Sequence, residues 1–311
     1  MNTTKLYKGD CLIESDKIIS GSVDLILTDL PYGTVKGLGG DIEKYKKLSN
    51  SYWDNVIDTD KIMQIANRIL RKNGKMVLTA NQPFTTELIS KAIPNLPYCY
   101  NMYWDKMHFA NCLSANKAPV SYIEDILVFS KKYDTDGLHP LRTYFKDVMK
   151  FIGLNLKQIN TKLGHRRAEH SFYLDSTQFG LCKEKTYLEL IHTFSIDKMS
   201  GYKTFSELRS IQFAYDSRFN LWQGNKHKSN ILKYKKDYNG YHPTQKPVLL
   251  LEDLIKTFSN ENDLVVDLTM GSGSTGVAAK NTNRNFIGIE QDPNYFSTAT
   301  ERIKAVEYKL F

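Results

Sequence analysis

Cysteine is scarce in this chain of 311 residues: Cys11, Cys99, Cys112 and Cys182 are scattered and form no Cys-x-x-Cys pair. That spacing offers neither a disulfide framework nor a zinc site, and it fits a reducing, cytoplasmic setting. Long apolar runs are missing as well. None approaches the roughly 20 residues that span a bilayer, and the start, Met1-Asn2-Thr3-Thr4-Lys5, lacks the apolar core of a signal peptide. No membrane partner is expected, and no internal repeat or low-complexity tract is present. With 41% hydrophobic and 24% charged residues, the chain reads as a globular protein of one large domain, or of a core domain with an insertion.

Acidic residues are thin in the middle of the chain. Residues 131–240 hold 20 Lys/Arg against 11 Asp/Glu, whereas the remainder holds 22 against 23. The whole positive excess of +8 therefore belongs to the middle segment. Such an asymmetry is the footprint of a polyanion-binding segment on a near-neutral core, or else of a solvated surface kept for solubility.

What is present is an alternation of strand-like and helix-like runs over 1–130, broken by 131–240 and resumed over 241–311. Lys5–Asp10 and Val23–Leu27 read as strands, and Ile13–Ile19 as a short helix. The pattern of Ile62, Ile65, Ala66, Ile69 and Leu70 predicts an amphipathic helix over 60–70 that Asn73-Gly74 ends. Strands follow at 75–80, 98–104 and 123–130, with a helix over 83–92. Gly33–Asn50, with Lys36 among its glycines and lysines, reads as a loop able to close over a substrate. From His139 to Ile211 the text is helical, basic and interleaved with aromatics. Leu156–Leu163, Gly164 and His165–Tyr173 fit two helices around a tight turn, either a helix-turn-helix reader with Arg166 and Arg167 on its second helix or an ordinary helical hairpin. Lys226–Tyr238 reads as a loop whose Lys226 and Lys228 touch phosphate or water. The resumed half holds a helix over 248–258, strands at 264–267 and 286–290, and a last helix over 292–308.

Two stretches carry chemistry. Asp29-Leu30-Pro31-Tyr32 stands just past a buried strand, where ligands bind in open α/β sheets. Asp29 can accept from an exocyclic amine, Leu30 before a proline is biased to an extended conformation that can aim its carbonyl at the same amine, and Tyr32 offers a face for stacking. The second stretch, Gly271-Ser-Gly273-Ser-Thr-Gly276, follows the strand ending at Asp267 and precedes Glu290 by 19 residues, the spacing of a dinucleotide fingerprint. A nicotinamide enzyme is one reading. Against it, the fingerprint sits near the C-terminus, no second nucleotide-binding half follows, and Asp267 before the loop suits a sulfonium or ammonium rather than a pyrophosphate.

Asp29–Tyr32 resembles the catalytic tetrapeptide of the amino-methylating DNA methyltransferases, commonly Asp-Pro-Pro-Tyr in adenine enzymes. Residues 267–275 look like that family's cofactor loop, His242–Pro247 like the segment before it, and Gly9-Asp10-Cys11 and Gln82-Pro83-Phe84 also fit. Tetrapeptide first, basic insertion next and cofactor loop last is the order of the β arrangement, in which the fold is circularly permuted. The resemblance covers 1–130 and 240–311. It implies an α/β, Rossmann-like methyltransferase sheet with a mainly helical basic insertion as DNA-binding region, S-adenosylmethionine as cofactor and double-stranded DNA as partner; many relatives pair as homodimers, so a homodimer is one possible state, but no self-complementary face is visible in this sequence. It also implies site roles: Asp10 and Cys11 at the cofactor adenine, Glu290 at the ribose, Asp267, Thr269, Gly271, Ser272 and Gly273 at the methionine part with Asp29 beside them, and Thr244 and Lys246 near its carboxyl end. Lys36, Arg166, Arg167, Lys226 and Lys228 are the expected DNA contacts. Asp rather than Ser at the first position leans towards adenine N6, although an aspartate can accept from cytosine N4 equally well. Leu30 and Thr269 depart from the family's proline and phenylalanine, which keeps a non-catalytic DNA-binding protein among the alternatives.

Overall fold

The computed structural model describes residues 2–32, 57–110, 115–117, 119–133, 139–224, 226–237 and 245–306. Its contacts divide the chain into two compact units, Met1–Lys132 with Arg218–Phe311, and Tyr133–Ser217. In the first unit the strands are β1 (Thr4–Lys8), β2 (Val23–Thr28), β3 (Leu70–Ala80), β4 (Tyr98–Ala110), β5 (Ser121–Ser130), β6 (Ile231–Lys233), β7 (Leu264–Asp267) and β8 (Asn285–Glu290). They form one sheet in the order β1-β8-β7-β2-β3-β5-β4-β6. The first five in that order run parallel, β5 is antiparallel to both neighbours, and β6 runs parallel to β4. This is the expected Rossmann-like, circularly permuted sheet: the strand before the glycine loop, β7, lies beside β2 although the chain reaches it only after β3–β6.

The helices are α1 (Cys11–Glu14), α2 (Thr59–Ile69), α3 (Phe84–Ser90), α4 (Pro140–Ile152), α5 (Leu156–Leu163), α6 (Glu184–Phe194), α7 (Phe205–Tyr215), α8 (Val248–Phe258), α9 (Ser274–Asn281) and α10 (Pro293–Ala305). Strand side chains alternate between faces, so Ile26 and Leu78 meet Ile62, Ala66 and Ile69 of α2, while Leu25, Leu27 and Val77 meet Leu250, Leu254 and Phe258 of α8. Both faces of the central strands are thereby dry, and their carboxyl ends carry the polar work.

The second unit packs α4–α7 around its own core of Leu141, Phe145, Val148, Ile159, Phe172, Tyr187, Leu190 and Leu208. Asn155 and Gln158 cap α5 reciprocally, and Gly164 ends it in the left-handed conformation. The second helix expected over His165–Tyr173 does not form. Only a 3-10 turn, Glu169–Phe172, follows Gly164, so the helix-turn-helix reading is replaced by a helix and an irregular segment. Arg166 pairs with Glu169 and Arg167 with Glu189.

Other expectations shift. The helical unit is narrower than 131–240, because residues from Arg218 onward pack with the sheet and contribute β6. Within 133–217 the balance is 12 basic to 10 acidic residues, while 218–240 holds 6 to 1. The helical insertion is thus nearly neutral, and much of the excess charge rides on the sheet unit. Asn73-Gly74 does not cap a helix. α2 stops at Ile69, β3 begins at once, and Asn73 (φ 65°) with Gly74 makes the irregularity where the β2–β3 register slips between Val23 and Leu25. The helix expected at 13–19 is instead α1 followed by one 3-10 turn, Ser15–Lys17. Lys36, Thr244 and His242 lie outside the described residues. Among those described, no helix is long and apolar enough to cross a membrane.

Gly276, in the first turn of α9, has no room for a side chain: a Cβ there would overlap Ile303 of α10 and Phe286 of β8. Gly276→Ala is therefore expected to cost about 1–3 kcal/mol, read as a lower midpoint in denaturant unfolding at unchanged slope; a wild-type midpoint would refute this packing constraint.

Candidate active site

The sheet order reverses between β7 and β2, and a crevice opens beyond the carboxyl ends of these two strands. Thr28, the last residue of β2, donates its hydroxyl to Asp267 Oδ1 at 2.7 Å, and that hydroxyl lies 2.8 Å from the Thr269 hydroxyl. Thr269 donates its backbone N–H to Asp267 at 3.1 Å and its hydroxyl to the Asp29 carbonyl at 2.9 Å. Burial pushes the Asp267 carboxyl up to about 6, against the hydrogen bonds from Thr275 and Thr28 that pull it down.

The loop after Asp267 turns on Gly273, which is left-handed (φ 82°) and so close to α10 that a Cβ would sit 2.9 Å from that of Ala299. Glu290, at the end of β8, accepts from the backbone N–H of Gly271 (2.9 Å) through one oxygen and from that of Asp292 (2.8 Å) through the other. A carboxylate's roughly four acceptor positions leave room for a further donor. Asp10 accepts from the Leu12 N–H at 2.9 Å as the cap of α1. Burial, reinforced by Asp10 and Glu290, pushes the Cys11 thiol up to about 12, which disfavours the thiolate.

These groups line a cavity of about 360 Å³ that also takes in Asp29–Tyr32, Gln245, Lys246, Ser272 and Tyr295. Among the described residues its charged lining is Asp10, Asp29, Asp58, Asp267 and Glu290 against one base, Lys246. Five acids and one lysine disfavour a pyrophosphate and favour a ligand with positive charge and hydroxyls.

At the end towards the tetrapeptide, Asp29 is the hub. Tyr32 donates to Asp29 Oδ1 at 2.7 Å, Thr79 of β3 to the same oxygen at 2.5 Å, and Lys246 Nζ lies 2.6 Å from Oδ2. Lys246 bridges to Glu124 of β5 at 2.9 Å, and Lys106 of β4 approaches the other Glu124 oxygen at 3.4 Å. Burial works to lower the proton affinity of Lys246, but Asp29 and Glu124 outweigh it and lift the ammonium above the ordinary lysine range. Burial likewise opposes ionisation of Glu124, and there Lys246 and Lys106 prevail and hold the carboxyl below its usual range. Burial first, then Asp29 and Glu124, raise the Tyr32 phenol, which stays protonated. Leu30 is buried in the core, so the residue standing in the proline position is fixed by packing.

Asp10, Cys11, Asp29, Leu30, Pro31, Tyr32, Lys246, Asp267, Thr269, Gly271, Ser272 and Glu290 thus converge on one cavity, with Gly273 turning its loop. Lys228 is a correction. It is buried and ion-paired with Asp253 at 2.5 Å, where Trp222 and Tyr234 also donate, so it fastens its segment to α8 and is not a phosphate contact. Lys226 is exposed. Sequence reasoning missed Glu124, Thr79 and Lys106. The available signal was an acid and a base placed in two strands, next to otherwise apolar runs.

A family model described as DNA methylase, of the N6 and N4 methyltransferases, matches residues 23–301. The chain belongs to that family. It is 25% identical over 308 residues to the DNA adenine methyltransferase YhdJ of Escherichia coli K12, covering 97% of this chain and 83% of that protein. It is 30% identical over 140 residues to the type II methyltransferase M2.LlaDCHI of Lactococcus lactis subsp. cremoris, a match spanning 45% of this chain and 46% of that relative. Against that relative and M2.DpnII of Streptococcus pneumoniae, the chain spans under half of the other protein's length. In fold it is similar to the M1.HpyAVI–SAM complex (TM-score 0.54, 20% identity, 97% of this chain and 99% of the other). It is also similar to the cytosine-N4-specific PvuII DNA methyltransferase (TM-score 0.54, 15% identity, 100% and 89%).

Removing the charge of Glu124 leaves two buried ammoniums short of an acceptor. Glu124→Gln is expected to destabilise the fold by about 3 kcal/mol, and adding Lys106→Met to recover part of that loss. Denaturant unfolding of the two singles and the double reads it, and strictly additive effects would show that the pair is not coupled.

Proposed function

We propose that this chain is an S-adenosylmethionine-dependent DNA methyltransferase that modifies the exocyclic N6 amine of an adenine turned out of the duplex. The observation that carries the reading is the Asp29 carboxylate, fixed by three donors at the mouth of an acid-lined cavity. The cofactor fits the residues present. Asp267 and the glycine loop would hold its cationic methionine end, Glu290 its ribose hydroxyls, and Asp10 with Cys11 the region of its adenine. When bound, the cofactor supplies a methyl group made electrophilic by its sulfonium.

The protein's share is positioning and electrostatics. An exocyclic amine is a poor nucleophile because its lone pair is delocalised into the ring, and it lies inside the duplex until the base is flipped. A carboxylate offers about four acceptor positions. At Asp29 the Tyr32 and Thr79 hydroxyls take Oδ1 and Lys246 takes one position on Oδ2. One position on Oδ2 is left for an amino hydrogen, with the Leu30 carbonyl for the other. Drawing both hydrogens out of conjugation localises the lone pair towards the methyl. Tyr32 supplies the stacking face.

Aspartate in the first tetrapeptide position and the similarity to the DNA adenine methyltransferase YhdJ along nearly the whole chain support adenine. Cytosine N4 is the second reading, since Asp29 can accept from that amine with the same geometry. Nucleoside mass spectrometry of unmethylated DNA incubated with protein and cofactor distinguishes N6-methyladenine from N4-methylcytosine.

Asp29→Ala is expected to abolish methyl transfer while cofactor affinity stays within a few-fold of wild type; retained turnover would remove Asp29 from the chemistry. Because the Asp267 carboxyl is pushed up to about 6, it is ionised above that pH and neutral below it. Cofactor affinity measured by calorimetry should be flat above pH 7 and fall towards tenfold per pH unit below about 6. An affinity that stays constant down to pH 5 would exclude Asp267 as partner of the cofactor's positive end.

A further inference from the structure

We propose that the bulged end of the β4–β5 hairpin is a wedge that enters duplex DNA beside the target base, with lysines of the adjoining β6 edge on the phosphates; the proposal rests on the DNA-methyltransferase reading above. β5 is antiparallel to β3, with Asp125 opposite Ala80, so residues before Asp125 project past the carboxyl ends of the parallel strands, where the site lies. Glu124 turns into the site and holds Lys246 and Lys106. Tyr122 and Ile123 come next outward along the same strand.

Here the ladder between β4 and β5 breaks. Asp105 pairs with Ile123 and Ala110 with Ser121, an advance of five residues on one strand against two on the other. The surplus is a bulge, and Met107 within it is left-handed (φ 55°), a costly conformation for a residue with a side chain. Asp105 pins it by accepting the Met107 N–H at 2.8 Å. The bulge presents apolar groups to water: Met107 is 52% exposed, Phe109 41%, Tyr122 48% and Ile123 48%. The His108 ring stacks on Phe109 at 4.6 Å, and Phe109 lies 6.2 Å from Tyr122. An apolar cluster held out by a strained bulge, just beyond Glu124 at the carboxyl end of the sheet, has the composition of side chains that insert between base steps.

Charge selects the occupant. β6 lies alongside β4, with Lys233 opposite Asp105, and runs in the same direction, so Lys233 and Lys235 sit exposed at the same end of the sheet. They belong to the stretch 218–240 with 6 basic residues and 1 acidic. Aromatics flanked by lysines complement stacked bases flanked by phosphates. A second copy of this face would set lysine against lysine.

The test uses the full-length protein, its cofactor and unmethylated mixed-sequence duplex DNA. Phe109→Ala with Tyr122→Ala is expected to weaken duplex binding about tenfold or more, and methyl incorporation with it, while cofactor affinity, melting temperature and the salt slope of binding stay at wild-type values. Phe109→Trp should bind like wild type. Lys233→Gln with Lys235→Gln should lower the slope of log affinity against log salt by about 2. The wedge is overturned if the aromatic double variant binds and methylates duplex like wild type. It is equally overturned if that variant's loss follows a change from dimer to monomer, which would make the patch a contact between copies. A wild-type protein that takes up cofactor yet methylates no DNA overturns the methyltransferase reading itself, and the wedge falls with it.

Discussion

The junction of β2 with β7 is the constraint on which the site depends. Two strands some 240 positions apart in the chain end side by side, and a short polar chain of Thr28, Asp267 and Thr269 fastens their tips. The Thr28 hydroxyl reaches Asp267 at 2.7 Å, and the Thr269 hydroxyl reaches the Asp29 carbonyl at 2.9 Å. Because those bonds join the end of the tetrapeptide strand to the start of the glycine loop, the two chemical halves cannot drift apart without breaking buried hydrogen bonds. The junction also explains a departure. Thr269, where the resemblance leads one to expect phenylalanine, ties the loop to Asp29 by a hydrogen bond. Leu30, the other departure, is buried in the core.

Around that junction the electrostatics are arranged so that charges are costly to leave unpaired. Lys246 is buried between Asp29 and Glu124, and Glu124 in turn lies between Lys246 and Lys106. Taking such groups out of water is expensive, and their mutual attraction repays the cost only when the geometry is held. The geometry is held by three strands, β2, β3 and β5, whose faces are filled with aliphatic side chains. A rigid carboxylate is what an amine acceptor needs, because an oxygen free to swing would have to be ordered during the reaction.

Much of the architecture was legible in the sequence because it rests on periodicity. The helix at 248–258 and the strand at 264–267 fall where apolar spacing placed them. The glycine loop, its acid at Glu290 and the tetrapeptide were readable because each is a local run whose spacing has a mechanical reason. Three things were not legible. Asn73-Gly74 has the chemistry of a helix end, yet the chain uses it as a kink within β3, since the parallel pairing with β2 wins over local turn preference. His165–Tyr173 has helix-forming residues, but Arg166, Arg167 and His165 are drawn to Glu169 and Glu189, and the segment follows those partners. The contacts of Asp29 with Thr79 and Lys246 cross 50 and 217 residues, and no local pattern announces a contact of that range.

Charge needed the fold most of all. As text, residues 131–240 form one basic block. In space they belong to two bodies with different balances, a helical unit with 12 basic and 10 acidic residues and a sheet-edge segment with 6 and 1. The helical unit's Arg166 and Arg167 already have carboxylate partners, and Lys228 on the edge segment is spent on Asp253 inside the protein. Long-range attraction of a polyanion follows net local charge rather than a count of arginines. The largest local positive excess therefore lies on the edge segment, which runs beside β4 and whose chain continues to Gln245 and Lys246 in the cavity. The stretch of greatest positive excess and the lysine that orders the Asp29 carboxylate are thus parts of one run of sequence, so a change in how the first is anchored bears on the geometry of the second.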